Sequence, residues 1–427
     1  MSVVELASEL EDLLGSVGVS VDERVRRTAS TDWAHMSPVL SAKLPAGLAD
    51  VVAFPRTPEE LARVLQAAYR RRVPVTPRGK GTGNYGQAIP LADGLVIDLT
   101  RCRRILEIGD GYMKAEAGAT FVVMEAAAHR AGQDVCVFPS TVGSTVGGFI
   151  SGGSGGTGSV EHGRTWDGNI LALDVVPCTE DADLLARKGF EETLPFCHAF
   201  GTSGIVATAT VRLAPARQWT ALFTSFEHFA DAVEAGRQIM ALDPPPRLLS
   251  IDDPGLVEHY GDPAAMPLGK VSLRAIIDTS VVSDAGAVVT AAGGTVEEVR
   301  PKGAGLLTSL SFNHSTYRLR KARPEFTHLQ VGGAGLVERT REAREVLPET
   351  LLHLDGVQGP SYAGMLMCRY DGEAALLAGI RGLEGLGVTV SSPHTWELHH
   401  DRVGLIRSTA ARLDPAGLLN PGKLPAA

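Results

Sequence analysis

GSTVGGFISGGSGGTGSVEHG, residues Gly143–Gly163, gives nine of its twenty-one positions to glycine. Glycine loses more backbone freedom on folding than any other residue, so such a run belongs where a Cβ would intrude. A second stretch of the same character, PRGKGTGNYGQ, occupies Pro77–Gln87. Two bare loops in one region suit a long, flat, polar ligand lying directly on main chain, one with a diphosphate and a ring system. That describes a dinucleotide. The second stretch holds a literal GxGxxG at Gly81–Gly86, after a strand-like segment. A Rossmann fingerprint also needs a helix to open at its last glycine. Pro90 and Gly94 stand against a helix there, so a nest of successive backbone amides around an anion is the better reading.

At 427 residues, 44% apolar and 21% charged, the chain has the balance of a soluble globular enzyme of two or three domains. Its net charge of −9 argues against nucleic acid or an anionic membrane surface as partner. No apolar run is long enough for a membrane span. The N-terminus lacks the basic head and cleavage site of a secretory signal. Its Leu6, Leu10, Leu13 and Leu14 predict an amphipathic helix. Five scattered cysteines with no CxxC pair suit reduced thiols in a cytoplasm, not a disulfide frame or zinc site.

Strands are expected at VVAFP (Val51–Pro55), Val73–Thr76, GLVIDL, RILEI, YMKAEA, DVCVFP, ILALDVVPC and ATATVRLAP (Ala207–Pro215). Between the first two, Thr57, Pro58 and Glu60 announce a helix start with a capping box, and Leu61, Val64, Leu65 and Ala68 give its apolar stripe. A helix is also expected over Thr120–Ala131. Beyond about residue 216, ALFTSF, KVSLRAIIDT, TVEEVR, HLDGV and YAGMLMCRY alternate with helices around 227–240, 284–292 and 372–386. That pattern predicts an α+β unit with a mainly antiparallel sheet and helices on one face. Asp252-Asp253 and Glu297-Glu298 read as solvated charge.

Four segments in combination carry a family resemblance: PRGKGTGNYGQ; Phe138–Val176, which contains the long glycine run; GTSGIVATATVRLAP (Gly201–Pro215); and LLNPGK (Leu418–Lys423). Together they resemble the vanillyl-alcohol oxidase superfamily, in the branch of glycolate oxidase and D-lactate dehydrogenase flavoprotein subunits. The resemblance implies a two-lobed PCMH-type FAD-binding domain over 51–215, preceded by an N-terminal helical segment (1–50). It is followed by a smaller α+β substrate or cap domain with an antiparallel sheet (216–385) and a segment that returns to the FAD domain (386–427). Arg78, Gly79, Lys80, Gly81, Thr82, Gly83 and Asn84, with Gln87, would hold the diphosphate. Pro139, Ser140, Thr141, Gly143 and Ser144 would run beside the diphosphate and isoalloxazine. Gly147 and Gly148 would approach the ring, and Gly152, Gly155, Gly158 and Ser159 the ribityl and adenosine parts. Ile205 and Val206 would meet adenine, and Asn420 would close on the ring. Covalent members attach flavin through a histidine matching Thr82, and some add a cysteine matching Thr141, so the threonines here imply FAD held without a covalent link. Gly147, where proline would block oxygen, leans towards an oxidase.

The substrate side is read from two clusters. PHTWELHH offers His394, Glu397, His399 and His400, and SFNHSTYRLRK offers Asn313, His314, Tyr317, Arg318 and Lys321. Removing hydride from an alcohol or 2-hydroxy acid needs a base for the hydroxyl proton, and histidine titrates near working pH. His394 and His314 are the candidates, with Glu397 and Lys321 beside them. A carboxylate substrate needs a cation, from Arg318 or Lys321. Twelve histidines are scattered through the chain, and a core or surface place is the ordinary fate of any one. The paired histidines and glutamate that hold a divalent ion in relatives acting on D-2-hydroxy acids are not reproduced, so no metal is expected. The expected activity is FAD-dependent oxidation of a small-molecule alcohol or 2-hydroxy acid, with O2 or an electron-transfer protein as acceptor. A flavin-templated transferase like alkyl-glycerone-phosphate synthase, or a subunit feeding an Fe–S partner, is the alternative.

Overall fold

The computed structural model describes residues 3–391 and 394–426. Three sheets organise them. The first runs in the order Val19–Ser20, Val51–Ala53, Leu95–Asp98, Val75–Arg78. Leu95–Asp98 pairs in parallel with both Val51–Ala53 and Val75–Arg78. The crossover helix Pro58–Arg71 buries Leu61, Val64, Leu65 and Ala68. Thr57 caps it by accepting from Glu60 N–H at 3.2 Å. The Glu60 carboxylate reaches one residue further back than a capping box requires, taking the Arg56 N–H at 2.7 Å. Strand Val75–Arg78 therefore delivers the first glycine loop at the carboxyl end of a parallel strand, a usual place for a ligand.

The second sheet is antiparallel and built on the long strand Ile205–Pro215, which pairs with Tyr112–Glu116, Ile170–Val176 and Gln133–Val135. Ile105–Gly109 and Leu185–Lys188 lie outside these. Val51, Leu95, Val75, Met113, Val175 and Ile205 share one apolar core, so the two small sheets form a single packed body. The N-terminal helix Val3–Leu14 joins it through Leu6, Leu10 and Leu14. Near the far end of the chain, Leu419 bridges Val75, with Val75 N–H on Leu418 O at 2.8 Å and Asn420 N–H on Val75 O at 2.7 Å.

The third sheet has eight antiparallel strands, from Thr295–Arg300 at one edge to Thr389–Ser391 at the other. The expectation of helices on one face is corrected. Leu222, Leu249 and Ile277 point to helices Phe229–Met240 and Val282–Ala291. Their neighbours Phe223, Leu248 and Ile276 point the other way, under the helices Pro254–Val257, Ala304–Thr308 and Asn313–Ala322. Successive strand residues face opposite sides, and here both sides are covered.

That second face also carries a polar centre, which overturns the reading of Asp252-Asp253 as solvated charge: both are buried. Asp253 pairs with Arg344 and accepts the Leu352 N–H at 2.7 Å. Asp252, Arg274, His353, Asp355 and Ser250 lie on adjacent strands in register. His353 sets Nδ1 on Asp252 Oδ1 at 2.7 Å and Nε2 on Asp355 Oδ2 at 2.9 Å. Both ring nitrogens then donate, which only the imidazolium can do. Burial opposes that charge, but the two carboxylates outweigh it and push the His353 pKa up to about 10. A folded-state pKa above the unfolded value of about 6.5 means the stability it contributes is complete below pH 6.5 and lost as pH climbs through 10. Thermal melts from pH 7 to 10 should show a falling Tm in the parent chain. His353→Gln should start lower at pH 7 and decline less steeply; equal slopes would contradict the assignment.

Candidate functional site

A cleft of about 1320 Å³ opens where the two glycine loops face the third sheet and the helix Asn313–Ala322. The first loop supplies an anion nest. Among the described residues, no acceptor is taken by the six successive amides of Gly79, Lys80, Gly81, Thr82, Gly83 and Asn84. The Arg78 guanidinium folds beneath Gly81, reaching Thr31 O. Three hydroxyls link the loops: Ser144 Oγ lies 2.8 Å from Thr82 Oγ1 and 2.7 Å from Thr141 Oγ1.

The long glycine run is not all loop. Val146–Gly152 is a helix capped by Thr145, whose Oγ1 accepts the Gly148 N–H at 3.3 Å. Its glycines do different work. A Cβ on Gly152 would meet only Gln87 Nε2, at 3.8 Å, so any longer side chain there would project into the cleft. A Cβ on Gly156 or Gly158 would strike the Phe138 or Cys136 carbonyl oxygen at 1.9 and 1.7 Å, which is a packing requirement. Gly147 belongs with these, since its Cβ would sit 2.7 Å from Ala117 Cβ. Its lack of a side chain is required by close packing against Ala117.

The expected loop residues line the cleft, together with Ile205 and Val206, except Gly143 and Gly158. Asn420 does not line it either. Its Nδ2 donates to Gln87 O at 2.9 Å and Phe200 O at 2.8 Å, so it ties the returning segment to the glycine loops from behind. Lys423, which no sequence argument singled out, sits buried with Nζ on Gly86 O. Burial lowers its pKa to about 8, against the pull of Asp32.

On the opposite wall stand Phe312, Asn313, His314, Thr316 and Tyr317, with Gln330 from the neighbouring strand. Gln330 donates to the hydroxyl of Tyr85, which comes from the first glycine loop and is half-buried. Trp33 meets Tyr317 edge-on at 5.4 Å. His314 Nδ1 has no hydrogen-bond partner among the described residues. Burial, and then Arg318, lower its pKa, so the ring is neutral at pH 7.

The other candidates lie off this wall, although Glu397, His399 and His400 still line the cleft. His394 is outside the cleft wall, with Nδ1 2.7 Å from Ser37 Oγ and its pKa lowered by burial to about 4. Lys321 is also outside; Glu397 and His399 line the cleft at an exposed rim. His400 contacts His198 O through Nε2 at 3.0 Å. Two features were missed. Trp166 lines the cleft with the guanidinium groups of Arg402 and Arg164 over its ring, at 3.9 and 5.1 Å. Arg320, outside the cleft lining like Lys321, lies one turn beyond Thr316 and Tyr317, its Nε and Nη1 buried without a partner among the described residues. The i+3 and i+4 spacing from those two residues was the available signal.

Residues 49–181 match the model of an FAD-binding domain. This is an FAD-binding domain of the vanillyl-alcohol oxidase superfamily. The nest of free amides and the side-chain-free position at Gly152 fit that cofactor. Relatives include an uncharacterized FAD-linked oxidoreductase of Mycobacterium tuberculosis, 28% identical over 58% of this chain and 54% of its own length. Glycolate oxidase subunit GlcD of Bacillus subtilis is 32% identical over 49% of this chain and 47% of its own. The chain thus spans about half the length of these two. D-lactate dehydrogenase of Archaeoglobus fulgidus is 26% identical over 88% of this chain and 91% of its own. A solved alkyldihydroxyacetonephosphate synthase shares the fold, with a TM-score of 0.80 at 17% identity over 99% of this chain and 85% of that one.

The glycine analysis separates two substitutions. Gly152→Leu should leave the melting temperature of the FAD-free chain unchanged while weakening FAD by about tenfold or more, equivalent to about 1.4 kcal/mol. Gly156→Ala should lower the melting temperature itself. Binding titrations and melts on both variants check this.

Proposed function

We propose that the chain is an FAD-dependent oxidoreductase that oxidises a small alcohol or 2-hydroxy acid in this cleft. The observation that carries the reading is the pairing of a bare-backbone wall with an opposite wall presenting a neutral, half-buried His314. Bound FAD supplies a hydride acceptor at N5. His314 takes the hydroxyl proton, and its lowered pKa keeps it competent to do so down to a pH below the ordinary histidine range. His394, held by Ser37, supports the wall behind it. For a hydroxy acid the cation is Arg320, whose Nε and Nη1 are buried without a partner among the described residues, in place of Arg318 or Lys321. Thr82 and Thr141 offer flavin no linking nucleophile, so FAD is held non-covalently. O2 is the acceptor in this reading, with an electron-transfer protein as alternative, and the setting is cytoplasmic. The fold shared with the synthase prompts a second reading, transfer without net redox change.

Anaerobic mixing with a panel of alcohols, polyols and 2-hydroxy acids should bleach the flavin with at least one member. A product at the substrate's oxidation state would instead establish the transferase. With that substrate, His314→Ala should lower kcat by about 10²–10⁴-fold while FAD content stays constant. Arg320→Met should raise KM for a hydroxy acid by about 10-fold or more, as for loss of a charged hydrogen bond, and leave neutral alcohols unaffected. Acid precipitation should release all the yellow colour; colour retained in the pellet would overturn the non-covalent assignment.

A further inference from the structure

Phe312 begins the helix Asn313–Ala322 with φ +50° and ψ −137°, a conformation that side-chain-bearing residues rarely adopt. Such a residue persists only where its surroundings hold it. Two contacts do so here. The Phe312 N–H donates to Asp355 Oδ2 at 3.1 Å, and Arg274 Nη2 donates to Leu310 O at 3.2 Å. Asp355 is also bound by Ser250 Oγ at 2.7 Å and by His353 Nε2 at 2.9 Å. Arg274 is paired with Asp252, and Asp252 with His353 Nδ1 at 2.7 Å. The four side chains are therefore one alternating chain of charge, Arg274, Asp252, His353 and Asp355, whose two ends grip the backbone on either side of Ser311. All four are at most 1% exposed. The gripped turn leads directly into Asn313, His314, Thr316 and Tyr317, which line the cleft.

We propose that this buried charge chain is a clamp, with Asp355 and His353 as positioning residues that hold the Phe312 turn and so set the place of His314 and its helix in the site. The proposal rests on the reading of that helix as the substrate wall. Apolar residues of similar volume could fill the same space with equal stability. They could not hold the Phe312 N–H or the Leu310 carbonyl, and that directional task is what the charges add. Glycine adopts the Phe312 conformation freely, so Phe312→Gly should make the anchor dispensable.

The test uses the full chain loaded with FAD. In Asp355→Ala, hydrogen exchange of the 312–317 segment should speed up at least tenfold, with strand Ile205–Pro215 unchanged. In the Phe312→Gly background the same substitution should change it less than threefold. With a substrate in hand, Asp355→Ala should lower kcat/KM at least tenfold in the parent and less than threefold beside Phe312→Gly. Equal losses in both backgrounds, or no change in exchange, would overturn the clamp. Should Asp355→Ala fail to fold, Asp355→Val carries the same comparison, because it fills the space without offering the Phe312 N–H an acceptor. Faster exchange at 312–317 without bleaching by any alcohol would leave the clamp standing and sink the oxidoreductase reading.

Discussion

Main-chain amides can meet a diphosphate only where no side chain stands between them, and this requirement orders much of the molecule. The parallel strand Val75–Arg78 ends where the first loop must begin. Arg78, the last side chain before the loop, is turned beneath it. Six free amides follow in sequence, a concentration of partial positive charge that water alone would otherwise solvate. The second loop cannot stay equally bare throughout, because a long glycine tract is entropically costly. It is instead stiffened as the capped helix Val146–Gly152, anchored by Phe149 and Ile150 in the core. Bare backbone is thus held in place by apolar packing behind it.

The cap is organised on a different principle. Its sheet buries apolar side chains on both faces, yet the face towards the cleft also holds paired ions. Their number is balanced, two cations against two carboxylates, so the low-dielectric interior carries no net charge from them. The loss of hydration is offset by short, directed contacts from strand to strand. Such contacts fix orientation more than they add stability, which suits a wall that must present a helix at a defined angle.

Much of the FAD-binding region was legible because its signals are local. Loop glycines, a capped helix start and alternating strands each depend on residues a few positions apart. The resemblance added only the order in which those pieces meet a ligand. What escaped was set by contacts between distant segments. Asn420 is a ring contact by resemblance, whereas its amide holds Gln87 and Phe200, and nothing within LLNPGK marks Lys423 for burial against Gly86. Asp252 and Asp253 read as surface charge because their partners Arg274, His353 and Arg344 lie 22 to 101 positions away in the chain. His394 was placed in the cleft by its neighbourhood in sequence, whereas Ser37 draws it aside. The second covered face of the cap sheet was hidden for a related reason: helices as short as Pro254–Val257 and Ala304–Thr308 show no periodic stripe.

The strand-like return at Leu418–Lys423 bears on how the protein is made. Val75 takes its outer partner from Leu418 and Asn420, and Gly86 from Lys423. Chains emerge from the ribosome amino end first, so the lobe that begins at residue 51 stays unfinished until a piece synthesised some 340 residues later has docked. The intervening cap is translated, and free to fold, in that interval. Completion of the edge beside the nest consequently follows translation of the cap rather than of the region that carries the nest.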